Sequence, residues 1–149
     1  MLFMKFSRMS KLKIGWVGDY KRSGKRFDLA YRVAKKLGAE LVVAGPIDSL
    51  LYVERDEMPD FYRECDCLLV TSVFEAHPLV FYEALACGCT PLIERNVGDP
   101  WDNQVKGAFY YQGFDVDNMA KCIEKVVENR DEMVKNGVKC INKEWSWEM

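Results

Sequence analysis

The stretch CLLVTSVFEAHPLVFYEALACGCTPLI, residues 67–93, predicts a strand, a loop, a helix and a second strand in that order. The strands are Cys67–Thr71 and Thr90–Ile93, and the helix is expected to begin at Pro78, because proline is favoured at the first helical position. Such a unit places two parallel strands in one sheet. Continuous apolar strands are typical of a parallel sheet that is covered on both faces.

The same alternation of strands and helices extends to both sides of this unit. Further strands are predicted at Leu12–Val17, Leu41–Ala44 and Phe109–Tyr111, with a short extended piece at Leu50–Val53. Further helices are predicted at Phe27–Leu37, from Asp56 to Glu64, from Asp115 to Glu128, and from Arg130 to just before Trp145. The sequence therefore predicts an α/β fold with a doubly wound, Rossmann-like parallel sheet, in which ligands bind at the carboxyl ends of the strands.

The composition fits a single globular domain. The chain has 149 residues, of which 49% are apolar and 30% charged, and its net charge is −2. A weakly acidic chain is a poor candidate for binding nucleic acid. No apolar stretch reaches the ~18 residues that cross a bilayer, and the start of the chain does not read as a signal peptide. We expect an extension or linker over residues 1–10 and one domain over residues 11–149, located in the cytoplasm or at the inner face of the membrane.

Six cysteines raise the question of a metal site or of disulfides. Cys65 and Cys67 are separated by one residue, as are Cys87 and Cys89, whereas structural zinc sites have two to four residues between such ligands. The single histidine does not complete a ligand set. We therefore expect no metal, and we interpret the thiols as small apolar side chains. A disulfide stays open if the source is a hyperthermophile.

Two loops follow strand ends at the predicted binding edge. Residues 18–26 read GDYKRSGKR, with two glycines and four basic residues between a strand and a helix. Backbone N–H groups and cations in such a loop can bind an anion, although a solvated turn is the alternative reading. The loop matches neither a Walker A motif nor G-x-G-x-x-G, which disfavours P-loop and nicotinamide enzymes. The second loop ends at His77 and Pro78, where the positive end of a helix dipole faces the same edge.

Glu83 is the one charged residue of an otherwise apolar predicted helix, and Glu75 precedes it with seven residues between the two. Burial of an unpaired carboxylate costs several kcal/mol. We therefore expect Glu83 to have a partner or to bind a polar ligand.

These residues together resemble a known signature. Ser72, Glu75, Pro78, Glu83–Gly88 and Pro91 are similar to the E-x7-E motif of retaining glycosyltransferases of the GT-B fold, in their C-terminal nucleotide-sugar-binding domain. The remaining segments occur in the order of that family. Val17–Gly18 with Lys25 resemble its glycine-rich loop and phosphate-binding lysine. The other segments are Val43–Gly45, Cys65–Asp66, and Trp145–Trp147 near the closing helix.

The resemblance implies roles for individual residues. Glu83 would bind the ribose hydroxyls of the donor nucleotide, and Glu75 would act at the reaction centre as the catalytic residue. The base would lie near Leu51–Val53. The donor would be a UDP- or GDP-sugar, with no metal or other cofactor. The donor-binding residues that the resemblance implies are Gly18, Lys25, Ala76, His77, Pro78, Leu79 and Glu83.

Two positions depart from the family pattern. Asp19 stands where the family usually has an arginine that binds phosphate, and its negative charge would repel a diphosphate. Arg22 or Arg26 is a possible substitute for that arginine. Ala76 stands where the family commonly has glycine, which is a smaller change.

The active site of the GT-B fold lies between two domains, and this chain corresponds to the C-terminal one. The resemblance thus implies a donor-binding domain that transfers a hexose with retention to a glycan or lipid acceptor. It also implies an N-terminal domain that is missing here or lies on another chain. The alternative is a non-catalytic sugar-nucleotide-binding module, or the activating subunit of a split glycosyltransferase.

Overall fold

The computed structural model describes residues 12–73, 79–97 and 107–144. Within these ranges one sheet holds five parallel strands, β1 Lys13–Val17, β2 Glu40–Ala44, β3 Cys67–Leu69, β4 Thr90–Glu94 and β5 Phe109–Tyr111. Their order across the sheet is β2-β1-β3-β4-β5. The predicted doubly wound α/β fold is confirmed.

The helices of the described ranges are α1 Phe27–Leu37, α2 Met58–Glu64, α3 Leu79–Ala86, α4 Val116–Glu128 and α5 Arg130–Glu144. Helix α1 has its predicted bounds and ends at Gly38, whose φ of 66° is the left-handed conformation that glycine favours. Helix α4 begins after Asp115, whose carboxylate accepts a hydrogen bond from the backbone N–H of Asn118. None of these described helices has the length and apolar content needed to cross a membrane.

The start of α2 and the piece at Leu50–Val53 differ from their predictions. Asp56 does not cap α2, because it lies inside a separate 3-10 turn, Arg55–Glu57, and the α-helix begins at Met58 with Pro59 in its first turn. The extended piece at Leu50–Val53 is not a strand of the sheet. Its Tyr52 makes one isolated parallel bridge with Gly45, directly after β2.

Helices cover both faces of the sheet. On one face α1 and α4 pack over a core that includes Trp16 and Tyr111, and we call this side the α1 layer. On the other face α2, α3 and α5 pack over a second core that includes Tyr62 and Phe81, and we call this side the α3 layer. Both cores bury apolar surface, which is the main source of stability in such a domain.

A close backbone approach holds α5 in the α3 layer. A Cβ atom on Gly107, whose φ is 97°, would lie 2.3 Å from the Cα of Gly137 in α5. A Cβ on Gly137 would lie 2.7 Å from Cδ2 of Leu85 in α3. Glycine at position 107 therefore lets the segment before β5 lie against α5, and glycine at position 137 lets α5 pack against α3, the helix that carries Glu83.

The strand order reverses at β1, which pairs with β2 on one side and β3 on the other. The loops that follow β1 and β3 therefore leave the sheet side by side. In open α/β sheets this switch point is where ligands bind.

Candidate functional site: a cleft at the carboxyl edge of the sheet

The loops after β1 and β3 are joined by hydrogen bonds. Thr71 Oγ1 accepts from Trp16 Nε1 at 2.9 Å and donates to the carbonyl oxygen of Lys25 at 2.6 Å. The backbone N–H of Val73 donates to the carbonyl oxygen of Gly24 at 3.0 Å. These bonds confirm that the two loops meet at one edge, as far as the second loop is described.

Gly18 opens the first loop in a conformation that requires glycine. Its φ is 154°, and a Cβ atom there would lie 3.2 Å from the indole ring of Trp16. The next residue, Asp19, organises the turn, since its carboxylate accepts from the backbone N–H of Lys21 at 3.0 Å. Its carbonyl accepts from the N–H of Arg22, also at 3.0 Å. The acidic residue that departs from the family pattern thus has a local structural role.

The basic residues of the loop differ in their surroundings. Lys25 ends the 3-10 turn Ser23–Lys25 and is half-buried. Arg26 has a φ of 52°, uncommon for a residue with a side chain. Its guanidinium donates two hydrogen bonds of 3.0 Å to the carboxylate of Asp28, and this pairing raises the pKa of Arg26 and lowers that of Asp28. Arg26 is therefore a poor substitute for the family arginine, whereas Arg22 is exposed.

A cleft of about 450 Å³ opens between α2, α3, the end of β1 and the segment that connects β2 to α2. Its lining is mostly apolar and aromatic, with a carboxylate and a guanidinium among the polar groups. The lining residues are Val17, Tyr52, Val53, Arg55, Met58, Pro59, Tyr62, Val80, Glu83, Ala86 and Cys87. An apolar cleft with few polar groups is the usual form of a small-molecule site.

Glu83 projects from α3 into this cleft, on the same stripe as Val80, Ala86 and Cys87. The side chain is exposed, so the cost of burying an unpaired carboxylate does not apply to Glu83. The apolar sequence of α3 does not imply that every face of the helix is buried, because one face forms the cleft wall. The expected partner is present, however, since Oε1 of Glu83 accepts a hydrogen bond of 2.9 Å from the hydroxyl of Tyr62.

Sequence reasoning missed Tyr62. Its side chain is 1% exposed, and burial, followed by the nearby Glu83 carboxylate, raises the pKa of its hydroxyl well above the usual range. The hydroxyl is thus a permanent donor at neutral pH. A signal for it exists in the helical spacing of Met58, Phe61, Tyr62 and Cys65. Tyr62 is the member of this apolar stripe whose buried hydroxyl needs a partner.

The structure places Gly18 and Lys25 in the loop after β1, where the Lys25 carbonyl accepts a hydrogen bond from Thr71 after β3. Glu83 lines the cleft beside Val17, the last residue of β1, whereas Gly18 and Lys25 are not among the cleft-lining residues. Leu79 begins α3 and is 65% exposed. Tyr52 and Val53, near the predicted base site, line the cleft. The predicted site residues Glu75, Ala76, His77 and Pro78 lie outside the described residues, as does the segment 145–147.

The cysteines are free thiols, and Cys65, Cys67 and Cys89 are buried. Burial raises the pKa of Cys65 to about 12 and those of Cys67 and Cys89 further, so these thiols are unreactive apolar side chains. Across residues 12–73, 79–97 and 107–144, no three His, Cys, Asp or Glu side chains lie together as metal ligands would.

Comparison with known proteins identifies the family. The model of the family "Glycosyl transferases group 1" matches residues 8–140. An uncharacterized glycosyltransferase of Methanocaldococcus jannaschii is 27% identical over 115 residues, which are 73% of this chain and 29% of that protein. The chain thus spans less than a third of the length of this relative.

Solved structures share the fold. The C-terminal domain of the group 1 glycosyl transferase LpcC from Francisella tularensis aligns with a TM-score of 0.70 at 15% identity, over 92% of this chain and 87% of that one. A variant of TarM from S. aureus, solved with fondaparinux, α-GlcNAc-glycerol and UDP, aligns with a TM-score of 0.70 at 17% identity, over 91% of this chain and 33% of that one.

The family model matches residues 8–140, which are most of this chain, and so the chain belongs to the group 1 glycosyltransferases.

Proposed function

We propose that this group 1 glycosyltransferase chain binds the donor nucleotide-sugar in the cleft between α2 and α3. One observation carries the proposal. Glu83 presents an exposed carboxylate inside an apolar cleft of about 450 Å³ at the switch point of the sheet. A buried tyrosine hydroxyl holds that carboxylate at 2.9 Å.

The chemistry of the cleft suits a nucleoside. A carboxylate only accepts hydrogen bonds, and its two oxygens match the two adjacent hydroxyls of a ribose. Tyr52, Val53 and Met58 offer apolar and aromatic surface for a base, and Arg55 adds hydrogen-bond donors. In this proposal Glu83 binds the ribose and the base lies toward Tyr52 and Val53.

The diphosphate is assigned to the loop after β1 and the segment that leads into α3. Lys25 supplies positive charge there, and Gly18 allows the backbone to come close. During transfer the bond between the sugar and the diphosphate breaks, so negative charge grows on the leaving group. Lys25 then stabilises the transition state more than the ground state. No metal ion is required in this scheme.

The reaction that we propose is transfer of a hexose from a UDP- or GDP-sugar to a glycan or lipid acceptor with retention of configuration. The spacing of Glu75 and Glu83 supports this through the E-x7-E resemblance, and Glu75 is assigned to the reaction centre. Binding of the acceptor is assigned to a separate N-terminal domain. The proposed location is the cytoplasm, and a lipid acceptor would bring the chain to the inner membrane face.

A second candidate is a sugar-nucleotide-binding module without catalysis, or the activating subunit of a split enzyme. Asp19 favours it, because a negative charge stands where the family has a phosphate-binding arginine. The two candidates share the binding site. They differ in turnover once a complementary N-terminal domain is supplied.

Calorimetric titration with UDP, GDP and their hexose derivatives tests the binding site. We expect one nucleotide series to bind with a micromolar or weaker Kd and Glu83→Ala to weaken it at least about tenfold, since both ribose hydroxyls lose a charged acceptor. Glu124→Ala, an exposed glutamate of α4 in the α1 layer, is the control and should leave the Kd unchanged. Binding that is indifferent to Glu83→Ala would reject the ribose role.

A further inference from the structure

We infer that Tyr62 is a positioning residue, whose hydroxyl holds the Glu83 carboxylate in the orientation that receives a ribose. The inference rests on the proposed function. It concerns a residue that need not touch the sugar and that acts through Glu83.

Tyr62 is a rigid anchor. Its side chain is 1% exposed and belongs to the core of the α3 layer. Its ring packs edge-on against that of Phe61, with centroids 5.6 Å apart and an interplanar angle of 77°. A ring packed in this way cannot follow the movements of an exposed side chain, so its hydroxyl is a fixed point at the cleft wall.

Glu83, in contrast, is an exposed side chain with three rotatable bonds. In water such a side chain samples several rotamers, and binding a ligand in one of them costs conformational entropy. The hydrogen bond of 2.9 Å from Tyr62 selects one orientation before the ligand arrives. Pre-organisation of this kind raises affinity because less freedom is lost on binding.

The hydrogen bond leaves acceptor capacity for a ligand. A carboxylate has about four lone-pair sites, and the tyrosine hydroxyl occupies one of them, on Oε1. Enough sites remain for two ribose hydroxyls. A tyrosine hydroxyl is protonated at neutral pH, and the raised pKa of Tyr62 keeps it a donor at alkaline pH as well.

Tyr62→Phe tests the inference, because it removes the hydroxyl and keeps the ring that packs in the core. The affinities of the 149-residue chain for UDP, GDP and ADP are compared with those for the 2′,3′-dideoxy forms of the same nucleotides. We expect Tyr62→Phe to weaken the ribonucleotide that binds about fivefold and the dideoxy form less than about twofold. In a Glu83→Ala background the same substitution should have almost no further effect, because the group that it positions is gone.

Each of the other outcomes contradicts a different part of the inference. Equal losses for the ribose and dideoxy forms would assign Tyr62 a purely structural role in the cleft. A loss that persists in the Glu83→Ala background would show direct contact between Tyr62 and the ligand. An unchanged Kd in Tyr62→Phe, beside a clear loss in Glu83→Ala, overturns the inference alone. If the wild-type chain binds none of the three nucleotides, the proposed function fails, and the inference fails with it.

Discussion

The two layers of the sheet each bury a tyrosine, and the two hydroxyls have different partners. In the α1 layer, Tyr111 donates to the backbone carbonyl of Val70 at 2.5 Å, and this hydrogen bond is buried. In the α3 layer, Tyr62 donates to Glu83, so the bond ends on an exposed carboxylate in a cleft. Both tyrosines are 1% exposed. The Tyr111 hydrogen bond serves the stability of the fold, whereas we propose that the Tyr62 hydrogen bond serves ligand binding through Glu83.

The exposed faces of α1 and α3 also differ, in the kind of side chains that they carry. Helix α1 exposes mainly charged side chains, among them Arg32, Lys35 and Lys36, as expected for a helix in water. Helix α3 exposes Leu79, Ala86 and a single charge, Glu83. Apolar surface left open beside one carboxylate is typical of the wall of a binding site.

The largest effect is expected from Leu85, which is 1% exposed and lies behind the cleft wall. Leu85→Ala should lower the free energy of unfolding by about 3 kcal/mol, because it leaves a cavity between α3 and α5. Leu79→Ala, on the exposed side of the same helix, should change it by less than about 0.5 kcal/mol. Urea unfolding measures both, and similar losses would contradict the assignment of Leu79 to an open face.

A charge added to the cleft wall should weaken ligand binding without unfolding the chain. Ala86→Glu places a second carboxylate three residues after Glu83 and should weaken nucleotide binding at least about tenfold through repulsion and steric block. Val127→Glu, at a partly exposed apolar position of α4, is the matched control and should leave the Kd within about twofold. Calorimetry with UDP and GDP gives both values. Equal effects at the two positions would remove the distinction between the layers.

Removal of the two tyrosine hydroxyls tests the comparison most directly. Tyr111→Phe should lower the free energy of unfolding by about 1 kcal/mol, because it removes a fully buried hydrogen bond. Tyr62→Phe should cost less than half of this, about 0.5 kcal/mol or below, since the exposed Glu83 carboxylate can be solvated by water instead. Denaturant unfolding of the two variants is the measurement. A greater loss in Tyr62→Phe would reverse the roles that we assign.

A smaller effect is expected at alkaline pH. Burial raises the pKa of the Cys67 thiol, so the folded chain keeps a proton that the unfolded chain releases above its pKa of about 8.5. The stability from this group is complete below that pH and falls as the pH rises, by about 0.8 kcal/mol at pH 9. Cys67→Val should reduce the fall between pH 7.5 and pH 9, measured by urea unfolding. An identical pH slope in the variant would argue against a protected thiol.

Much of the fold was predictable because its signals are local. The spacing of apolar residues and the glycine at position 38 define α1, and Asp115 caps α4 where the sequence indicates. The end of β3 was not predictable in the same way. The predicted strand continues to Thr71, whereas β3 ends at Leu69, and the Thr71 hydroxyl bonds to Trp16 and to the loop after β1. An apolar run does not show where a strand stops pairing, since that depends on a neighbour distant in sequence.

The candidate site also has features that the sequence predicts and features that it does not. The amino-acid sequence already identifies Glu83 and the loops at the carboxyl edge, because residue type, spacing and strand order are all contained in it. It does not contain the exposure of Glu83 or the role of Tyr62. Tyr62 and Glu83 are 21 residues apart, and their hydrogen bond exists because α2 and α3 pack side by side over one face of the sheet. Contacts between helices arise from the packing of the whole domain, and so the partner of the carboxylate became visible only in three dimensions.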